Sequence, residues 1–159
     1  MINKQEARDS ALNFLQAQNV GVVATVDTSG QPTVSPVYFA TKKDFTIYFL
    51  TSSSTQKHKN IVENDKVGFS AGFGPDYTSI EMQGRAVIVN GIEVVESLAL
   101  IAKVQLRVPM ANWPITMIES FKKADLMIYK IIPEHVSFLN IDLGKHPESI
   151  ADFVYQIVL

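Results

Sequence analysis

The sequence predicts a mainly β domain with flanking helices, built around an antiparallel barrel of about six strands. Three observations predict it. Short runs rich in Val, Ile, Tyr and Phe recur along the chain, divided by turn signals such as Ser29-Gly30 and Lys42-Lys43-Asp44. Strands follow strands, where a parallel α/β sheet would alternate each strand with a helix. Helical spacing is confined to a few segments that fall between groups of strands.

Taken in order, Asn3 to Gln18 reads as a helix, with Ala7, Ala11, Leu12 and Leu15 on one side and Asn19 closing it. Val20 to Asp27 and Gln31 to Ala40 form a hairpin about Ser29-Gly30. Pro32 and Pro36 remove ladder donors, so the second strand should be an edge, bulged or interrupted. Phe45 to Leu50 is a third strand. The hydroxyl run Thr51-Ser52-Ser53-Ser54-Thr55 opens a short helix, QKHKNIVEN, ending near Asn64-Asp65. Lys66 to Phe73 and Ser79 to Asn90 are strands around the loop Gly74 to Tyr77. Gly91 breaks the chain before a helix from Glu93 to Leu106, in which Val94, Val95, Leu98, Ile101, Ala102 and Gln105 are in register. Val108 to Ala124 is irregular or weakly helical. Leu126 to Ile132 and His135 to Asp142 read as two strands flanking Pro133, and the tail from Glu148 to Leu159 fits helix or strand.

A chain of 159 residues makes one domain, 1–159, large enough to bury a sizeable core. Hydrophobic residues are 47% and charged residues 19%, which excludes a disordered chain. The formal net charge of −2 leaves no basic surplus for a phosphate backbone, so nucleic acid is not an expected partner. Zero Cys excludes disulfides, thiolate metal sites and a Cys nucleophile. The polar start lacks a signal peptide's apolar core, and no apolar run approaches a membrane span, so a cytoplasmic location is expected. His58, His135 and His146 lack the paired spacing of a zinc site, and no metal is expected. Dinucleotide, Walker and nucleophile-elbow motifs are absent.

The informative segment runs from Tyr48 to Asn60. A strand ends in hydroxyl residues and opens a helix bearing Lys57, His58 and Lys59. Free N–H groups and the positive dipole end at a helix start attract phosphate. Thr55 can cap the helix or donate its hydroxyl, and Lys57 can supply a point charge. The same residues also describe an ordinary capped, solvated helix. Trp113 is either a packing residue or an aromatic wall for a planar ligand.

Together, VGVVATVDTSGQPTVSPVYFA, FTIYFLTSSSTQKHKNI, KVGFSAG and SIEMQGRAVIV resemble the FMN-binding split barrel of pyridoxamine-5′-phosphate-oxidase-like proteins. The closing YKIIPEHVSFLNID resembles that family's final strand pair, and the similarity covers roughly residues 5 to 142. It implies an antiparallel split β-barrel whose flavin lies at the interface of a homodimer. It also implies a phosphate loop in which Leu50 and Thr51 take the Tyr-Thr places, Ser52 follows, and Thr55, Gln56 and Lys57 take the Ser-Arg-Lys places. The flavin-contacting strand matches Ser35, Pro36, Val37 and Tyr38 through to Ala40, with Ser35 and Ala40 where the family carries Arg and Lys. The Gln that addresses the ring falls at Ser79, and Trp113 could reach a flavin held by the partner chain.

Lys57 is thus the matched cation that survives, with His58 and Lys59 beside it. The tail lacks the Trp and Arg that grip pyridoxal phosphate in the oxidase proper, which disfavours vitamin B6 oxidation and points to the general-stress-protein-like branch. The resemblance implies FMN as cofactor and a flavin-dependent oxidoreductase acting on a small molecule it does not name. The alternatives are a non-catalytic flavin-binding or redox-sensing stress protein, a deazaflavin-dependent reductase and, ranked below these, a haem protein.

Overall fold

The structure is a computed structural model, which describes residues 3–72, 78–105, 125–140, 154–157 and 159. Helix α1 (Lys4–Ala17) starts at a reciprocal cap: Asn3 Oδ1 accepts the Glu6 N–H and the Glu6 carboxylate accepts the Asn3 N–H, both at 2.8 Å. Strands β1 (Val20–Val26), β2 (Pro32–Thr41) and β3 (Ile47–Ser52) follow, then helix α2 (Gln56–Glu63). Strands β4 (Lys66–Ala71) and β5 (Thr78–Ile88), helix α3 (Glu93–Gln105), and strands β6 (Leu126–Asn140) and β7 (Val154–Ile157) complete the order.

Every strand pairing is antiparallel. The sheet runs β3-β2-β1-β4-β5-β6-β7, and β3 also pairs with β6, so six strands close into a barrel and β7 is added outside it. Closure is uneven. β2 pairs with β1 along Pro32 to Tyr38 but with β3 only at Phe39 to Thr41. The barrel is therefore split along the first part of β2, as its prolines predict. The Phe39 N–H reaches back to the Asn19 carbonyl at 3.2 Å. Strand alternation then turns the N–H groups of Val37 and Ser35 toward β1. Those of Val34 and Tyr38 face the split side, where Pro32 and Pro36 have none to offer.

The inner faces of the strands bury Val23, Phe39, Phe49, Phe69, Tyr129 and Phe138, with Ala7, Ala11 and Leu15 of α1 packed onto them. A second, smaller core lies under α3, where Ala40, Tyr48, Val89, Ile101 and Ile128 meet on the outer face. The Glu93 carboxylate fixes α3 there, accepting from the Tyr48 hydroxyl at 2.8 Å and the Lys130 ammonium at 2.7 Å. Those two hydrogen bonds, Lys130 first, hold the Glu93 pKa below the usual carboxylate range.

Three sequence expectations shift. Phe45 is outside β3, at φ 63°, in a turn tied by Phe45 N–H to Lys42 C=O and Lys42 N–H to Thr46 C=O. Its fully buried ring holds it in that left-handed conformation. Pro133 does not end a strand, because β6 runs through it. The register slips between Gln83 and Gly84 of β5, so that His135 and Pro133 oppose them and Glu134 is the extra residue of a bulge. A Cβ on Gly84 would lie 2.2 Å from the Ile132 carbonyl oxygen, which explains the glycine. Helix α3 turns Ser97 and Ile101 inward with Val94 and Val104, leaving Val95 and Leu98 exposed, although all five apolar side chains suit one helix face or another. The ambiguous tail supplies a strand, β7, paired to β6 at Val136 to Leu139.

Candidate phosphate-binding site at the start of helix α2

The end of β3 and the start of α2 converge at one end of the barrel. Thr51 shares the inward face of β3 with Ile47 and Phe49, since strand side chains alternate. Thr55 caps α2 in an extended conformation, its Oγ1 accepting the His58 N–H at 3.2 Å. The same hydroxyl donates to the Ser52 carbonyl at 2.9 Å. Its proton being used there, the 3.0 Å contact between the Thr51 and Thr55 hydroxyls is donated by Thr51. Thr51 Oγ1 in turn accepts from the Lys57 ammonium at 3.4 Å.

Lys57 carries most of the information. It is only 8% exposed, with its ammonium 5.8 Å from the centre of the Phe49 ring. Among the described residues, one long hydrogen bond to Thr51 is its only polar contact and no carboxylate pairs with it. Burial alone pushes its pKa below the ordinary lysine value. A buried ammonium normally has a partner charge, because an unpaired one is costly to desolvate. Here that partner is missing, and the first-turn N–H groups of Gln56 and Lys57 also have no acceptor among the described residues.

The remaining residues matched by the resemblance divide between this cluster and other surfaces. Gln56 turns along the helix and donates to Asn60 Oδ1 at 2.7 Å. Asn60, fully buried, donates to Thr25 Oγ1 at 3.0 Å and pins α2 to β1. Ser52 points to the other face of β3 and donates to Asp125 at 2.7 Å. Leu50 packs beneath α3, in the outer core. On β2, Ser35 and Val37 lie on the inner face opposite Val23 and Gly21, while Pro36 and Tyr38 lie on the outer face opposite Val22 and Val20. Ser79 opposes Leu139 on β5, away from α2. His58 is held by the Tyr129 hydroxyl at its Nδ1, 2.9 Å away, and Lys59 is exposed. Trp113 lies outside the described residues.

Asn60 and Asp125 are the structural members that sequence reasoning missed. A signal existed for Asn60, which follows Lys57 by three residues and precedes buried Ile61, on one helix face. Asp125 carried none, since its partner Ser52 lies far back in the chain.

No curated protein matches the chain significantly. Solved structures do. General Stress Protein 26 from Bacillus anthracis str. Sterne is 21% identical, with a TM-score of 0.59 over 82% of this chain and 92% of that one. A FAD-binding protein from Mesorhizobium loti is 20% identical, with a TM-score of 0.60 over 81% and 91%. An F420 reductase is 27% identical, with a TM-score of 0.59 over 78% and 93%. The sequence profile of the pyridoxamine 5′-phosphate oxidase family matches residues 7–140. Because that match spans most of the chain and the strands close into a split antiparallel barrel, the chain belongs to the pyridoxamine 5′-phosphate oxidase-like family.

Proposed function

We propose that the protein binds FMN and acts as a flavin-dependent oxidoreductase on a small molecule, as a homodimer with the flavin at the subunit interface. The observation that carries this reading is the buried Lys57, a cation with no anion beside it among the described residues. A phosphate at the start of α2 would supply the missing charge, accept the free N–H groups of Gln56 and Lys57, and face the Thr51 and Thr55 hydroxyls. The bound flavin supplies the electron-transfer chemistry. The chain's part is to bind and orient it: Lys57 and the α2 amides hold the phosphate, and the split edge of β2 offers the Val34 and Tyr38 N–H groups to a polar ring edge.

Val20, Pro36 and Tyr38 form an outward apolar row beside the split, with Val20 41% exposed, which suits coverage by a second copy. True pyridoxamine phosphate oxidation is not part of the proposal, because the tail 150–159 holds neither Arg nor Trp. A deazaflavin is the second reading, favoured by the 27% identity to an F420 reductase, and it too would bring a phosphate to Lys57.

Titration of FMN and riboflavin into wild type and Lys57→Ala tests the proposal. Loss of a charge-assisted contact from a buried site is worth about 1.5–3 kcal/mol, or roughly ten- to a hundred-fold in FMN affinity. Riboflavin has no phosphate, and its affinity should scarcely change. Equal losses for the two ligands, or none, would leave α2 as a capped helix without a phosphate.

A further inference from the structure

Helix α2 is tied to both sides of the split in the barrel. Its start is held to β3, where Thr55 Oγ1 donates to the Ser52 carbonyl and accepts from the Thr51 hydroxyl. Three residues beyond Lys57, Asn60 ties the helix to the other side, the β1–β2 hairpin. Its Nδ2 donates to Thr25 Oγ1 of β1 at 3.0 Å and to Thr33 Oγ1 of β2 at 3.5 Å. Thr25 and Thr33 are register partners, so one amide reaches both strands at the same level. Asn60 Oδ1 accepts from the Gln56 side chain at 2.7 Å, which brings the first turn of α2 into the same network.

Two features separate Asn60 from an ordinary polar residue beneath a helix. It is fully buried, and its Nδ2 and Oδ1 are all engaged within the protein, so it has nothing to offer a ligand directly. The second feature is what it connects. Along Pro32 to Tyr38, β2 has no strand on its split side among the described residues, since β3 joins it only from Phe39. In that stretch, the hydrogen bond to Thr33 is what links β2 to α2 among the described residues. The next residue is Val34, whose N–H faces the split. A helix start and a strand edge can hold one ligand together only at a fixed spacing, and a buried, fully bonded amide between them fixes it before the ligand arrives.

We propose that Asn60 is the positioning residue of the flavin site: it sets the spacing between the phosphate-holding start of α2 and the split edge of β2, so that one FMN engages both. This inference rests on the FMN reading. Riboflavin meets only the β2 edge and inorganic phosphate meets only α2, so neither senses the spacing. FMN does, because its second contact forms within one complex, at an effective concentration set by geometry. Asn60 touches neither half of the ligand and acts through Thr25, Thr33 and Gln56.

The test is titration of FMN, riboflavin and inorganic phosphate into the purified full chain, read by flavin fluorescence for the first two and by the Lys57 amide NMR shift for phosphate. The effective concentration is the product of the riboflavin and phosphate dissociation constants divided by that of FMN. Thr25→Val keeps a buried β-branched side chain and removes the hydroxyl that Asn60 reaches. It should lower the effective concentration about tenfold, the upper end of what one lost hydrogen bond is worth, with riboflavin and phosphate each nearly unchanged. Asn60→Ala should do the same, with circular dichroism checking that the fold is kept; if it does not fold, the Thr25 variants decide. Thr25→Ser, which keeps the hydroxyl, should match wild type. An unchanged effective concentration in folded Thr25→Val, fragment affinities that fall as far as that of FMN, or a Thr25→Ser as weak as Thr25→Val would each overturn the proposal. Lys57→Ala separates it from the FMN reading, since that variant should lose phosphate and FMN alike and keep the effective concentration. FMN binding no tighter than riboflavin in wild type would overturn the FMN reading and this inference with it.

Discussion

Lys57 is a base whose protonated form the fold disfavours, and that has a measurable sign. In the unfolded chain it keeps its proton up to the ordinary lysine range, while in the folded chain burial releases the proton at a lower pH. Between those two values the unfolded state binds more protons, so stability rises with pH through that window. Below the folded value the full cost of the buried charge is present. Chemical unfolding of wild type and Lys57→Met across an alkaline series is expected to show this rise in wild type and to lack it in the variant. Parallel curves would place the ammonium in solvent and remove the argument for an absent anion. Saturating FMN should flatten the wild-type curve too, because a phosphate beside Lys57 raises its pKa back toward normal.

Among whole elements, the bulge where β5 meets β6 is the sharpest test of packing. Gly84→Ala would place a methyl 2.2 Å from the Ile132 carbonyl oxygen, a backbone atom that cannot swing aside. The variant is expected to lose about 1–3 kcal/mol, read as a lower urea midpoint with an unchanged slope; a loss near zero would mean that β6 shifts freely there. This element also marks where the sequence stops being legible. Val20 to Val26 and the β2 prolines announce strand and edge by local chemistry alone. Pro133 announces a break, because nothing local reveals that Gly84, far back in the chain, makes room for a bulge. Helix α3 is apolar on several sides, so its spacing gives helix without giving the buried face; Glu93, reaching Tyr48 and Lys130, decides that. In the site, Thr55 and Lys57 are readable from capping rules, whereas Asn60 and Asp125 act only through partners on other strands.

At the scale of the molecule, the proposed dimer is testable without any flavin chemistry. Val20 lies opposite Tyr38 on the outer face of the sheet, whereas Lys57 is reached from the inward face of β3. A Glu there would place a charge in the covered row. Sedimentation of the 17.6 kDa chain is expected to give a dimer for wild type and a monomer for Val20→Glu. A wild type that sediments as a single chain with FMN present would reject the assembly.

The prolines of β2 also bear on how the protein behaves when concentrated. An unpaired strand is a template on which another chain can grow, and a run of free donors is what such growth needs. With Pro32 and Pro36 in alternate edge positions, the split side of β2 leaves donors unpaired only at Val34 and Tyr38 among the described residues. Two isolated donors cannot seed a continuous ladder. Pro36→Thr keeps the extended backbone and restores the missing donor between them. That variant is expected to remain folded when dilute but to turn cloudy and bind amyloid dyes when concentrated and warmed, while wild type stays clear. If both stay clear under the same conditions, the prolines serve strand geometry alone.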